Sequence, residues 1–174
     1  CAGGATGQEA YSMAMLLADD ARANLTGARI DIVSTDLCKN AVERARDGAY
    51  GHFEVQRGLS IHRLLRHFER EETGQWRISN ALRSAVSFRE QNLIEDTSGL
   101  GQFDVILCRD VLPGMAKSLR KAVTERFARQ LNPGGIVVLG QGEALGPDCD
   151  QLEQSPNAQG AYVSAGTAER EAAA

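Results

Sequence analysis

Two short apolar runs, FDVILC at Phe103–Cys108 and IVVLG at Ile136–Gly140, flank one long amphipathic segment, AKSLRKAVTERFARQLNPGG. That arrangement restricts the fold more than any other feature of the chain. Each run is strand-length and apolar on both faces, so both faces need cover. Between them Leu119, Val123, Phe127 and Leu131 recur at helical spacing, with Asn132-Pro133-Gly134-Gly135 closing the helix. Strand, helix and strand in that order predict a mainly parallel sheet covered by helices, an α/β fold.

The rest of the chain extends the rhythm and breaks it once. Tyr11 to Leu25 predicts a largely buried helix ending near Thr26-Gly27. RIDIVSTD, with Ile30, Ile32 and Val33, predicts a buried strand stopping at Asp36, and NAVERARDG a short helix closed by Gly48. Residues 50–87 depart from the pattern. LSIHRLLRHF presents Leu59, Ile61, Leu64, Leu65 and Phe68 on one face, while GQWRIS and AVSFREQNL read as short strands. This stretch is expected to be a small α+β insertion beside the main sheet. After the strand IVVLG, residues 141–160 read as loop, AYVSAG as a last strand, and residues 167–174 as a solvated or lightly helical tail.

Composition excludes several functions. The net charge is -4 with no long basic run, so nucleic acid is not an expected partner. Four scattered cysteines without CxxC spacing predict reduced thiols in a bacterial or other cytosolic setting, and no metal site. No apolar run approaches the roughly 20 residues that span a bilayer, so no direct membrane insertion is expected. The glycines Gly3, Gly4 and Gly7 open the sequence with neither a strand nor an initiator Met before them, which reads as a piece of a longer protein.

Ligands of such sheets bind at the carboxyl ends of the strands. Those positions here are Ala2–Glu9, Asp36, Asn92-Leu93, Arg109-Asp110 and Gln141–Glu143. A glycine loop alone is a frequent false positive, and Asp36 alone would serve as a strand-end cap. Together they suggest a nucleoside: Asp36 follows Gly7 by about 29 residues and can accept hydrogen bonds from both ribose hydroxyls. AGGATGQE is not GxGxxG, and Glu9 places a carboxylate where pyrophosphate would meet the helix. That acid suits a cation such as the sulfonium of S-adenosylmethionine. On their own, Glu9 reads equally as a first-turn acid and Arg109 as an ion-pair partner, and a turn residue is the lesser reading of Asn92. His52, His62 and His67 fall at no strand end and read as surface or insertion residues.

The co-linear set ATGQEAYSMAM, STDL, AVERARDGAY, VSFREQNL, FDVILCRDVL and RFARQLNPGGIVVLG resembles the methyltransferase domain of the chemotaxis receptor glutamate methyltransferase family. There the loop reads approximately STGEEPYS, the second strand ends in SD, and FxxxNL, FDxIxCRNVxIYF and LxPGGxLxxGxSE follow. The likeness runs from Cys1 to about Ala165 and includes the insertion, which resembles that family's β-subdomain. It departs at Gln8 and Ala10, at Asp110 for the Asn of CRN, at Pro113-Gly114-Met115 for IYF, and at Gly142-Glu143-Ala144 for SEN.

The resemblance implies a Rossmann-like class I methyltransferase fold with a seven-stranded-type sheet, as one domain over residues 1–166. A helical domain would precede it in the full protein. It further implies S-adenosylmethionine as cofactor, S-adenosylhomocysteine as product, and chemoreceptor cytoplasmic helices as protein substrate in the cytoplasm. By position, Ala2, Gly3, Gly4 and Thr6 would line the cofactor, Glu9 would meet its amino-acid end, and Asp36 its ribose. Asn92 and Leu93 would flank adenine, and Arg109 and Asp110, beneath the methionine moiety, are the nearest catalytic candidates. The alternative is a degenerate, non-catalytic cofactor-binding or protein-interaction module of the same family.

Overall fold

The computed structural model describes residues 1–19, 30–146 and 149–165, which fall into two compact units. The first holds Cys1 and Gly3–Glu90; the second holds Ala2 and the residues from Gln91 onward. The expected helix end at Thr26-Gly27 and the tail at 167–174 lie outside the described residues.

The first unit is built on two parallel strands, β1 (Ile32–Asp36) and β5 (Val86–Glu90), paired from Ile32↔Val86 to Asp36↔Glu90. Cys1 adds a rung with parallel geometry: its N donates to the Val33 carbonyl at 2.7 Å and Thr35 N donates to its carbonyl at 2.9 Å. Helix α1 (Gln8–Asp19) buries Ala10, Tyr11, Ala14 and Met15. Leu16 is 44% exposed, so α1 is amphipathic rather than buried all round. Helix α2 (Lys39–Asp47) buries Val42 and Ala45 and stops at Gly48, whose left-handed backbone brings its N–H to the Arg44 carbonyl.

Residues 50–87 divide between two structures. Strands β2 (Ala49–Tyr50), β3 (Phe68–Arg70) and β4 (Trp76–Ile78) form an antiparallel sheet in the order β2-β4-β3, flanked by α3 (His52–Val55) and α4 (Ile61–His67). Helix α5 (Asn80–Ser84) then leads into β5, which pairs with β1 instead of joining that small sheet. The apolar face expected of LSIHRLLRHF is narrower than its spacing suggests. Leu64 and Phe68 are buried, but Ile61 and Leu65 are 60% and 68% exposed, because α4 meets the core along one edge only. Tyr11, Tyr50, Phe68 and Phe88 stack edge-on or tilted at 5.3–6.3 Å and link α1, β2, β3 and β5 in one core.

The second unit holds a four-stranded sheet, β6-β7-β9-β8, made of β6 (Phe103–Cys108), β7 (Leu131–Leu139), β8 (Leu152–Gln154) and β9 (Ala161–Ser164). β6 and β7 run parallel, and β9 and β8 are antiparallel to their neighbours. Helix α6 (Lys117–Gln130) supplies the crossover and buries Val123 and Phe127 beneath Ile106, Cys108 and Val137. Four expectations change here. Leu131 already begins β7, and the Asn132–Gly135 turn is absorbed as the register shift between Phe103↔Leu131 and Val105↔Ile136. Leu119 is 40% exposed, so it does not share the buried face of α6 with Val123 and Phe127. Val105 is 43% exposed, so β6 alternates between faces instead of burying both. β8 falls in a stretch that reads as loop; it is three residues long and held by β9 alone among the described strands.

Candidate functional site

In the first unit the glycine loop turns back over the end of β1. Gly3 N and Gly4 N both donate to the Thr35 carbonyl at 2.9 Å, and Gly7 N donates to the Gly4 carbonyl at 2.9 Å. Ala5, at φ +45°, donates to Asp36 Oδ2 at 2.9 Å. Cys38 N donates to Asp36 Oδ1 at 2.9 Å, so each oxygen of this half-buried carboxylate accepts one backbone hydrogen. Gly7 needs to be glycine on two counts. Its φ is +93°, and a Cβ there would lie 2.9 Å from Ala45 Cβ and 3.2 Å from the Phe88 ring. Glu9 is half-buried in the first turn of α1, beside the loop in sequence.

This wiring decides which ligand the loop suits. A phosphate loop keeps its amides for the ligand. Here the N–H groups of Gly3, Gly4, Ala5 and Gly7 are spent within the loop or on β1 and Asp36. Asp36 offers a ligand acceptor capacity: a second lone pair on each of its oxygens suits a vicinal diol. A second carboxylate, Glu9, favours positive charge. These residues fit a nucleoside that bears a cation and lacks phosphate.

In the second unit, β6 ends at Cys108 and hands over to Arg109 and Asp110, both exposed. Asp110 has φ +60°, and its N–H donates to Glu143 Oε2 at 3.0 Å. Gly140 N donates to the same oxygen at 2.5 Å. Arg120 on α6 donates to the Met115 carbonyl at 3.3 Å. A cavity of about 240 Å³ lies here, lined by Leu112, Pro113, Arg120, Leu139, Gln141 and Glu143 among others. Asn92 accepts the Ile94 N–H at 3.2 Å, closing a turn, and the Leu93 carbonyl accepts from Arg126. Ala2 N donates to the Leu107 carbonyl at 2.7 Å. The structure thus joins Asp36 to the loop in one unit, and places Arg109-Asp110 on the Glu143 turn in the other.

Three further residues make contacts that residue order does not show. Tyr50 donates its hydroxyl to the Thr6 carbonyl at 2.8 Å, anchoring the loop to β2. Burial pushes this phenol well above its ordinary value, so it stays a donor. Glu143 lies within the expected strand-end position Gln141–Glu143 and keeps the Glu of SEN, but its backbone partners are visible only in three dimensions. His67, expected as a surface or insertion residue, lies in the 50–87 stretch, is buried and meets Asp19 at 2.8 Å, where Arg63 and Arg66 also converge. No spacing signal links residues 48 apart.

Comparison with known proteins agrees with this geometry. The family model described as "CheR methyltransferase, SAM binding domain" matches residues 1–161. The chain belongs to the CheR methyltransferase SAM-binding domain family. It is 37% identical over 153 residues to chemotaxis protein methyltransferase Cher2 of Pseudomonas putida, covering 86% of this chain and 56% of that protein. It is equally similar, with the same coverage, to chemotaxis protein methyltransferase 1 of Pseudomonas aeruginosa. The chain therefore spans little more than half the length of these relatives. In fold it is similar to the crystal structure of the glycopeptide N-methyltransferase MtfA complexed with sinefungin, at TM-score 0.50 and 11% identity. That match covers 79% of this chain and 44% of the other. The fold is that of a Rossmann-like class I methyltransferase. No described helix is long and apolar enough to cross a membrane.

Proposed function

We propose that the protein to which this chain belongs is an S-adenosylmethionine-dependent protein-glutamate O-methyltransferase of chemotaxis-type signalling, acting on chemoreceptor cytoplasmic helices in the cytoplasm. Residues 1–166 serve as its methyltransferase domain, with the part of 50–87 that precedes β5 as the inserted subdomain and 167–174 as a tail. The observation that carries this reading is the internally satisfied glycine loop closed on Asp36, in a chain of this family. The loop spends four of its amides internally and leaves acceptor capacity on Asp36 for the ligand.

Asp36 holds the ribose hydroxyls, and Glu9 meets the amino-acid end. The backbone of Ala2, Gly3, Gly4 and Thr6 lines one side, Asn92 and Leu93 flank the adenine, and Arg109 and Asp110 lie beneath the methionine moiety. When bound, S-adenosylmethionine supplies an electrophilic sulfonium methyl, which a substrate carboxylate takes, leaving S-adenosylhomocysteine. A carboxylate is already ionised near neutral pH, so the chain need supply no general base. Its residues orient the reactants and exclude water.

The test is transfer of labelled methyl groups by the full-length protein to receptor cytoplasmic fragments. Base-labile label on glutamate is the expected result. Binding of S-adenosylhomocysteine without any transfer would overturn the enzymatic reading and assign the chain to a non-catalytic module of the family.

A further inference from the structure

The geometry points to Glu143 as the positioning residue for the Arg109-Asp110 turn, a role that rests on the reading of that turn as part of the transfer site. A single oxygen, Glu143 Oε2, accepts from Asp110 N at 3.0 Å and from Gly140 N at 2.5 Å. Those two amides are the exits of the neighbouring parallel strands β6 and β7, so one side chain joins both strand ends. The approach to β7 is close: a Cβ on residue 140 would lie 2.5 Å from this oxygen. Asp110 needs the support, because φ +60° is a backbone region that non-glycine residues seldom occupy unless neighbouring bonds hold them there. Glu143 is itself fixed, its own N–H donating to the Gly140 carbonyl at 3.0 Å in a closed turn.

At the far end of the same segment, Arg120 holds the Met115 carbonyl, and Leu112 between them is 3% exposed. Residues 110–115 are thus fixed at both ends and pinned in the middle. Glu143 acts through the Asp110 amide, and its charge is not what the arrangement uses. Any acceptor of the same reach replaces it, and a side chain without one does not.

The experiment compares Glu143→Gln and Glu143→Ala in the full-length protein, with Val163→Ala in the core of β9 as a stability control. Amide hydrogen exchange at Asp110 and Gly140 is the direct readout. In Glu143→Gln both amides stay protected and kcat stays within about threefold of wild type. In Glu143→Ala both exchange at least about tenfold faster and kcat falls by a similar factor, whereas Val163→Ala lowers the urea midpoint and leaves kcat unchanged. Unaltered protection in Glu143→Ala, or equal loss in Glu143→Gln, overturns the inference. If the wild type transfers no methyl group, the proposed function fails, and the exchange data alone still decide the role of Glu143.

Discussion

Ala5 donates its backbone N–H to Asp36 Oδ2 at 2.9 Å, so the acid proposed to hold the ribose is also one wall of the glycine loop. Binding and loop shape are therefore coupled through one carboxylate. Asp36→Asn leaves a single acceptor oxygen for two backbone donors, Ala5 and Cys38. It is expected to weaken S-adenosylhomocysteine binding at least about tenfold and to cost about 1 kcal/mol of stability. Calorimetric titration and urea unfolding read the two effects; wild-type affinity in Asp36→Asn would remove this residue from the site.

Tyr50→Phe removes the hydroxyl that fixes the Thr6 carbonyl while keeping the ring among Tyr11 and Phe68. The expected cost is about 1 kcal/mol in urea unfolding, with ligand binding weakened several-fold because the loop loses its anchor. Equal stability combined with unchanged affinity would show that the loop holds its shape without β2.

The Asp19 cluster predicts an acid-dependent loss of stability. Hydrogen bonding from His67, then from Arg63, and the nearby charge of Arg66 hold the Asp19 carboxyl below its ordinary value of 3.8. A folded-state pKa that is depressed stabilises the fold fully above the unfolded value, and that contribution is lost as pH falls through the folded one. The gap in urea midpoint between wild type and Asp19→Asn should therefore be widest above roughly pH 5 and close as pH falls below it. A gap independent of pH in that range would contradict the assignment.

Much of this was legible in residue order because it is local. Gly48 closing α2, Asp36 ending β1, and FDVILC and IVVLG as strands joined through a helix all follow from short-range chemistry. What was not legible depends on partners far along the chain. Val86–Glu90 resembles the short strands before it, and only its pairing with β1 takes it out of the small sheet. His67 is polar at a helix end, and Asp19 on α1 is what allows it to be buried. Asp110 and Glu143 lie on separate strand exits, so their bond has no spacing rule. Ile61 and Leu65 sit at helical core positions, yet α4 offers the core less than its whole apolar face.

The central claim is that this chain's acidic, glycine-lined loop binds a nucleoside sulfonium cofactor. Titration of the full-length protein with S-adenosylhomocysteine tests it most directly. The predicted result is saturable one-to-one binding with Kd below about 1 mM, abolished in Asp36→Ala. No binding up to about 1 mM ligand, or equal binding by wild type and Asp36→Ala, would contradict it.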